Sequence, residues 1–427
     1  MVHSNEQYVD IVVVGAGLAG LTAAATAAAA GHSVTVLEKR THNGGRATTD
    51  ELDGYLFNQG AHALYAGGIG AATLKRLGVE PRGEAPPLAG TALLGGELSP
   101  LPYGVRSLLQ TRAVRGRGRF ALGRLISRIT RLDPTAHDGE TVDQWLAAER
   151  RDVRELATAL VRVGTYTAAT DLLSAGVAIR QLQLVVETGV LYLDGGWATL
   201  VDQLEAAVER VGGIVITGSG VESIEHRTDG FVIAHDGRTL SSGSVIVATG
   251  GPDVASGLLR LPSSTFADAG PPVTASVLDL ALPSMPAHRF VLGIDEPLYF
   301  SVHSPPARLA PPGAAAAVAM RYLHPESTTS ADNDRRSLEA VAEAAGIPTP
   351  VRTRFLRRMT VTHGMPLAAR GGTAGRPRVE VAGVRGAFVA GDWVGGDGLL
   401  ADAAIASGAM AARLAGELVA GRETARL

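Results

Sequence analysis

The chain has 427 residues, more than one hydrophobic core usually serves, so its length predicts two domains. Hydrophobic residues make up 46% and charged residues 19%, which excludes a disordered chain, and a net charge of −3 gives no reason to expect nucleic acid as a partner. The absence of cysteine excludes disulfides, thiolate metal sites, a cysteine nucleophile and a cysteinyl-linked cofactor.

The other general features predict a cytoplasmic protein without a metal. The 11 histidines show no paired ligand spacing, so we expect no metal site. The first ten residues include two acids and no basic region, unlike a secretory signal. No apolar stretch approaches the roughly 18 to 20 residues that span a bilayer.

The first 40 residues predict a strand at 9–14, a helix that runs to about Ala30 with Gly31 as its C-cap, and a strand at 33–37. The turn after the first strand reads Gly15-Ala16-Gly17-Leu18-Ala19-Gly20, and Glu38 closes the second strand. Gly15 permits the tight turn, Gly17 lets a pyrophosphate approach the backbone, and Gly20 allows close packing of helix on strand. This pattern predicts a dinucleotide site in which Glu38 accepts hydrogen bonds from the adenosine ribose.

A second group of glycines follows the ribose acid closely. Lys39-Arg40 comes directly after Glu38, and Asn43-Gly44-Gly45-Arg46-Ala47 comes next. A glycine pair plus an arginine at this distance indicates a second phosphate or flavin contact, which favours FAD over NAD. No second GxGxxG follows a strand elsewhere, so we expect no NAD(P)H site and predict dioxygen or a quinone as electron acceptor.

The rest of the chain alternates between regular and proline-rich stretches. We expect a helix at 199–211 and a last helix at about 400–418. The predicted strands are 214–217, 221–226, 231–235, 244–249 and 386–390. The segments 81–102 and 252–312 are rich in proline, and the second holds eleven of the 22 prolines, so both predict excursions into a less regular second domain.

These motifs together resemble the superfamily of FAD-dependent amine oxidases, phytoene desaturases and protoporphyrinogen oxidases, whose members show GxGxxGL, then an acid, then GGR. The resemblance implies an α/β fold with a Rossmann-type FAD-binding domain of the GR2 type and a discontinuous α+β substrate domain. It implies FAD-binding segments 1–72, 194–260 and 370–427, and substrate-domain segments 73–193 and 261–369. The FAD is expected to be bound non-covalently.

The resemblance also implies further cofactor contacts. Gly60-Ala61-His62 is similar to the turn that lays backbone against the flavin, and Val221 stands where a backbone contact reaches adenine. Thr249-Gly250 resembles the family's ATG-type strand end, and Gly391-Asp392 resembles its GD motif. Leu400 and Ala401 begin the last helix, whose N-terminus should face the flavin and stabilise its reduced, negative form.

Two departures from the family's amine oxidases favour a desaturase. Amine oxidases of the family commonly hold a lysine near flavin N5, but the only lysines here are Lys39 and Lys75, both close to the first FAD segment. Those enzymes also enclose the amine between two aromatic side chains, and this chain has Leu400 at one of the two positions. We therefore predict hydride transfer from a largely apolar small molecule to flavin N5.

Polar residues of the predicted substrate domain and of the final segment are candidates for the pocket. They are Tyr299, His303, Arg321, Tyr322, His363 and Trp393. Each is also explained by core packing or by a structural hydrogen bond or ion pair, so no catalytic residue is assigned.

The stretch from Leu98 to Leu132 has no acid and eight arginines. Apolar residues recur at helical spacing within it: Leu122, Leu125, Ile126, Ile129 and Leu132. Three interpretations stay open for 104–132: an ordinary helix with a solvated arginine face, peripheral contact with an anionic membrane, and recognition of an anionic substrate.

Three other functions also stay open. A flavin amine oxidase would release hydrogen peroxide with amines. A flavin-dependent isomerase would need reduced flavin and no acceptor. A lipid-binding protein without redox activity could use the same fold, although the intact phosphate loop and Glu38 argue against it.

Overall fold

The computed structural model describes residues 7–87 and 89–426. Its α-helices are α1 Leu18–Ala29, α2 Ile69–Arg76, α3 Val105–Gln110, α4 Arg117–Ile129, α5 Val142–Leu146, α6 Arg151–Thr165, α7 Ala175–Thr188, α8 Ala198–Glu209, α9 Pro252–Leu258, α10 Ala331–Ala344 and α11 Ala401–Arg426. Its strands are β1 Gln7–Val14, β2 Val34–Leu37, β3 Thr49–Leu52, β4 Tyr55–Asn58, β5 Leu64–Tyr65, β6 Gly83–Glu84, β7 Thr91–Leu94, β8 Glu97–Pro100, β9 Val190–Leu193, β10 Ile214–Ile216, β11 Val221–Arg227, β12 Gly230–His235, β13 Arg238–Val247, β14 Val273–Leu282, β15 Phe290–Gly293, β16 Leu298–Ser304, β17 Ala315–Leu323, β18 Arg352–Thr362 and β19 Ala387–Val389.

The first sheet has the predicted Rossmann arrangement. Its strand order is β10-β2-β1-β13-β12-β11, and β19 pairs with β13. The strands β10, β2, β1, β13 and β19 pair in parallel, whereas β11 and β12 are antiparallel additions. Residues Ile11–Val14 are buried, as a parallel strand covered on both faces requires. The predicted α/β fold class is confirmed.

The strand β13 begins six residues before the predicted strand at 244. Asp236 and Gly237 both have positive φ and form a tight turn, so β12 and the polar start of β13 continue as a hairpin. The extension contains polar residues, so a search for apolar stretches in the sequence does not detect it.

The last helix, α11, runs eight residues beyond its predicted end and packs against α1. The contact is close, because a Cβ added at Gly408 would lie 2.2 Å from the Ala19 carbonyl oxygen. Ala401–Arg422 is long and apolar enough to cross a membrane, contrary to the expectation that no stretch of the sequence is. An apolar stretch of 18 residues in this helix is 56% buried, as expected for a helix that packs in the core beside the first sheet.

The second sheet is more regular than the proline content predicted. Its order is β18-β14-β17-β16-β15-β7-β8, and α10 packs on it. The eleven prolines of 252–312 all lie outside β14, β15 and β16. Proline lacks the N–H that hydrogen bonds between strands require, so these residues lie in the loops that connect the strands of a regular sheet.

The helices α3–α7 form a separate layer around a shared apolar cluster. The strands of the first sheet fall within the predicted FAD-binding segments and those of the second within the predicted substrate-domain segments. The exact domain boundaries stay a prediction.

Candidate cofactor and substrate cavity

A cavity of about 730 Å³ lies between the two sheets. Gly15, Glu38 and Ala248, which follow β1, β2 and β13, line one side of it. Met320 of β17 and Met359 of β18 line the other. The carboxyl ends of parallel strands are where open α/β sheets bind ligands.

The three glycines of the first turn have different surroundings. A Cβ at Gly20 would lie 1.9 Å from the Gly15 carbonyl oxygen, and one at Gly15, whose φ is +102°, would lie 2.9 Å from the Ala248 oxygen. A Cβ at Gly17 meets nothing nearer than the Gly44 oxygen at 3.8 Å. Gly15 and Gly20 are therefore needed by the fold, whereas Gly17 leaves open space on the cavity side, where a phosphate would approach.

Glu38 holds the same turn in place. Its Oε2 accepts a hydrogen bond from the Ala16 N–H at 2.7 Å, and its Oε1 accepts one from the Arg40 N–H at 2.8 Å. The carboxylate lines the cavity and is 9% exposed. Each oxygen retains a lone pair, so Glu38 is able to accept ribose hydroxyls as predicted.

Arg46 and Asp392 join the second glycine motif to the last segment. The guanidinium forms an ion pair with the Asp392 carboxylate and donates to the Val361 carbonyl oxygen. The His363 N–H donates to Asp392 Oδ1 at 3.0 Å. Burial raises the pKa of Asp392, but the charge of Arg46 and the contacts with His363 outweigh it, so the pKa lies below its ordinary value. Asp392 is therefore ionised and fixes Arg46 at the cavity.

His62 lies against Trp197 with an edge-on ring contact of 4.9 Å between centroids. Its Nδ1–H donates to the Gly60 carbonyl oxygen at 3.0 Å. Burial lowers the pKa of His62 to about 4, so the ring is neutral at neutral pH. Because both rings line the cavity, this pair forms an uncharged part of its wall.

One part of the wall is made of apolar and aromatic side chains: Tyr65, Tyr166, Met320, Met359 and Leu400. Tyr166 ends α6 with a φ of 58°, a strained value for tyrosine, and its ring contacts Tyr322 edge-on at 6.2 Å. The Tyr65 hydroxyl donates to the Gly164 oxygen at 2.9 Å. The two lysines, Lys39 and Lys75, are exposed and do not line the cavity.

Asp402 connects the first turns of α11 and α2. Its Oδ1 accepts a hydrogen bond from the Gly70 N–H at 3.0 Å, because Gly68, the N-cap of α2, has no side chain to do so. Asp402 lines the cavity and is 4% exposed. Burial raises its pKa to about 6.

The structure brings most of the predicted cofactor residues to this cavity. Those that line it are Gly15, Gly17, Leu18, Ala19, Glu38, Arg40, Gly44, Gly45, Arg46, Ala47, Ala61, His62, Thr249, Gly250, Gly391, Asp392, Leu400 and Ala401. Five do not line it: Ala16, Gly20, Lys39, Gly60 and Val221. Ala16, Gly20 and Gly60 support lining residues through backbone contacts, Lys39 is exposed, and Val221 begins β11.

Of the six predicted substrate-pocket residues, His363 lines the cavity and the other five do not. Tyr299 and Tyr322 are buried in the cluster behind the wall, and His303 stacks on Tyr192 at 4.2 Å. Arg321 instead forms a hydrogen bond with Ser337 and a long ion pair with Asp334 of α10.

Trp393 is 1% exposed and packs against Phe266 at 5.1 Å between ring centroids. These five side chains do not line the cavity, because side chains near a pocket in sequence can point into the core behind it, and a substrate role for them stays a prediction.

Sequence reasoning missed Tyr65, Tyr166, Met320, Met359 and Asp402. Tyr65 and the two methionines come from β5, β17 and β18, Tyr166 directly follows α6, and no local motif marks any of them. Asp402 carried one usable signal, an acid in the first turn of the last helix.

Comparisons with known proteins agree with this geometry. A model of the flavin containing amine oxidoreductase family matches residues 18–304, more than half of the chain. A coproporphyrinogen III oxidase of Propionibacterium freudenreichii is 38% identical over 111 residues, 25% of this chain and 21% of that protein. A 4,4'-diapophytoene desaturase of Staphylococcus aureus is 50% identical over 50 residues, 12% of this chain and 10% of that protein. The matched region therefore spans about a fifth or less of these relatives.

A crystal structure of an oxidoreductase from Methanosarcina mazei superposes with a TM-score of 0.73. The superposition covers 94% of this chain and 99% of the Methanosarcina mazei chain, and the two sequences are 21% identical. At that identity the likeness shows the fold alone.

Proposed function

Because the chain belongs to the flavin containing amine oxidoreductase family, we propose that it is an FAD-dependent dehydrogenase or desaturase that oxidises a largely apolar small molecule. Bound flavin would accept a hydride at N5, and the protein would supply binding, orientation and exclusion of water.

The residues present fit an FAD held without a covalent bond. The open edge of Gly17 and the free N–H groups at the start of α1 would receive the pyrophosphate, and Glu38 would accept the adenosine ribose hydroxyls. Arg46, fixed by Asp392, would supply positive charge near the phosphates. The chain has no cysteine for a thioether link, which supports non-covalent binding.

The observation that carries the substrate class is the apolar part of the cavity wall. Tyr166, Met320 and Leu400 line it, and neither lysine of the chain reaches it. Such a wall would bind a hydrocarbon-like group and exclude water. These residues would orient the C–H bond to be oxidised.

The electron acceptor and the location are separate proposals. We propose dioxygen or a quinone as acceptor, because the sequence has one dinucleotide fingerprint, which would be occupied by FAD. We propose that the protein acts in the cytoplasm.

Anaerobic flavin bleaching would test the substrate class. The purified holoprotein would be mixed under anaerobic conditions with polyenes, porphyrinogens and primary or secondary amines in separate experiments. Bleaching by an apolar polyene or porphyrinogen, and not by amines, is the expected result.

Bleaching by amines, with hydrogen peroxide released on readmission of air, would instead identify an amine oxidase. A protein that stays colourless after FAD is added would point to a binding protein without redox activity.

A further inference from the structure

The basic segment that follows β8 has an exposed apolar surface that its helical pattern did not predict. The periodic residues Leu122, Leu125 and Ile129 of α4 are buried in the cluster of helices α3–α7. Several large apolar side chains are exposed: Tyr103 59%, Val105 80%, Leu109 62%, Phe120 85% and Ile126 43%, of which Ile126 belongs to the predicted periodic set. These five are among the thirteen most exposed large apolar residues of the described chain, so such side chains are concentrated here.

The exposed residues of α3 and α4 form one surface. The Arg119 guanidinium of α4 donates to the Leu109 carbonyl oxygen at 2.7 Å, which holds the first turn of α4 against the end of α3. On α4, Phe120 lies on the face opposite Leu122 and Leu125, on the same side as Arg117 and Arg124. An almost fully exposed phenylalanine therefore stands among arginines. We call residues 103–128 the basic apolar patch.

The charge of this patch is strongly positive. Of the eight arginines between Leu98 and Leu132, two pair with carboxylates, Arg112 with Glu97 and Arg128 with Glu149. The Asp152 carboxylate accepts a hydrogen bond from the Arg115 backbone N–H and lies against Gly118, so it stabilises the start of α4. The other six arginine side chains have no carboxylate partner among the residues that the structure describes.

We propose that the basic apolar patch docks on an anionic lipid bilayer, with Val105, Leu109 and Phe120 in the interface and the arginines on lipid headgroups. Exposed aromatic and aliphatic side chains flanked by arginine are the combination that binds such a surface, since burial of apolar area and attraction to anionic lipid act together. An acidic protein would match the charge alone, and a second copy of this chain would have to bring two positive patches together.

The patch also adjoins the part of the protein that faces the cavity. The buried side of α4 belongs to the same apolar cluster as Leu400 and Val361, which line the cavity. Docking would therefore place the helical layer, and not the first sheet, against the bilayer. The docking does not depend on the reaction proposed above, so the two proposals fail separately.

Vesicle co-sedimentation tests the proposal with the purified full-length holoprotein. Phosphatidylcholine vesicles with and without phosphatidylglycerol would be compared at low and high salt. We expect binding to the anionic vesicles that weakens with salt and little binding to the neutral ones. Phe120→Ser should lower the binding constant about fivefold, and the Arg117→Gln/Arg124→Gln double variant about tenfold or more.

Two surface variants serve as matched controls. Val351→Ser removes a 56% exposed apolar residue next to β18, at the opposite edge of the second sheet from β8, and Arg238→Gln removes an exposed arginine of the β12–β13 hairpin. Both should bind like the wild type. Unchanged thermal midpoints and flavin content in all variants would show intact folding.

Three results would overturn the proposal. They are no binding to anionic vesicles, equal binding by Phe120→Ser and the wild type, and a dimer in light scattering that Phe120→Ser dissolves without any lipid binding.

Discussion

The Gly44 N–H donates a hydrogen bond of 2.8 Å to the Ala16 carbonyl oxygen, and Gly17 and Gly44 form an isolated parallel bridge. The two glycine motifs, almost 30 residues apart in sequence, are therefore one continuous backbone surface at the start of the cavity. Gly44 reaches this position with a φ of +108°, which favours glycine. The sequence spacing of the two motifs is explained by this contact.

Gly17→Ala should separate cofactor binding from folding. A Cβ at Gly17 has no neighbour within 3.7 Å in the protein, so the fold should keep its thermal midpoint, while the FAD dissociation constant rises about tenfold or more. Gly20→Ala is the contrasting variant, since its Cβ would collide with the Gly15 oxygen at 1.9 Å, and should cost about 2 kcal/mol or more of unfolding free energy. FAD titration and thermal melts measure both. Tight FAD binding by Gly17→Ala would refute the role of this edge.

Arg354→Met should destabilise the contact between the second sheet and the β3–β4 hairpin. Arg354 of β18 pairs with the buried Asp279 of β14 and with Asp50 of β3, and it donates to the Asn58 oxygen. Burial raises the pKa of Asp279 to about 7 even beside Arg354. Removing the guanidinium leaves this carboxylate without a partner, at a cost of about 3 kcal/mol near pH 8.

The loss should be smaller near pH 5, because Asp279 then takes up a proton. Arg352→Met is the control: this exposed residue, two positions earlier on the same strand, pairs with exposed Asp53 and should leave the midpoint unchanged. Equal losses for the two variants would contradict the account.

Asp402→Asn should stabilise the protein at high pH only. The pKa of Asp402 is raised from 3.8 to about 6, so the folded state holds the proton more tightly than the unfolded state. Its contribution to stability is thus present below pH 3.8 and lost as the pH rises through 6. An amide retains the acceptor for the Gly70 N–H without the buried charge.

We expect a gain of about 1–3 kcal/mol near pH 8 and almost none near pH 4, measured by denaturant titration of the apoprotein. A loss of stability at pH 8 would contradict the assignment.

Tyr166→Ala should impair substrate binding without removing the flavin. Tyr166 lines the apolar wall, so its truncation should lower kcat/KM for the apolar substrate about tenfold, mainly through KM, while the flavin spectrum persists. Tyr322→Phe is the matched control, because its buried hydroxyl lies behind the wall and has no hydrogen-bond partner in the described structure. That variant should retain full activity and at least wild-type stability. Equal effects of the two substitutions would place the substrate elsewhere.

The half of the cavity expected to hold the cofactor was predictable because its lining residues belong to short sequence motifs, among them Gly15, Glu38, Arg46 and Asp392. The substrate half was not, since Tyr166, Met320 and Met359 meet only through tertiary packing of α6, β17 and β18. Periodicity identified three buried residues of α4, Leu122, Leu125 and Ile129, but the exposure of Ile126 and Phe120 depends on which neighbours cover the helix.

The most direct test of the central claim is the visible spectrum of the purified protein, followed by acid denaturation and identification of the released cofactor. We predict an oxidised flavin spectrum and release of FAD in a one-to-one ratio with the chain, because the cavity offers non-covalent contacts from Gly17 to Asp392. A protein that binds no flavin even after incubation with FAD, although folded by thermal melting, would contradict the account.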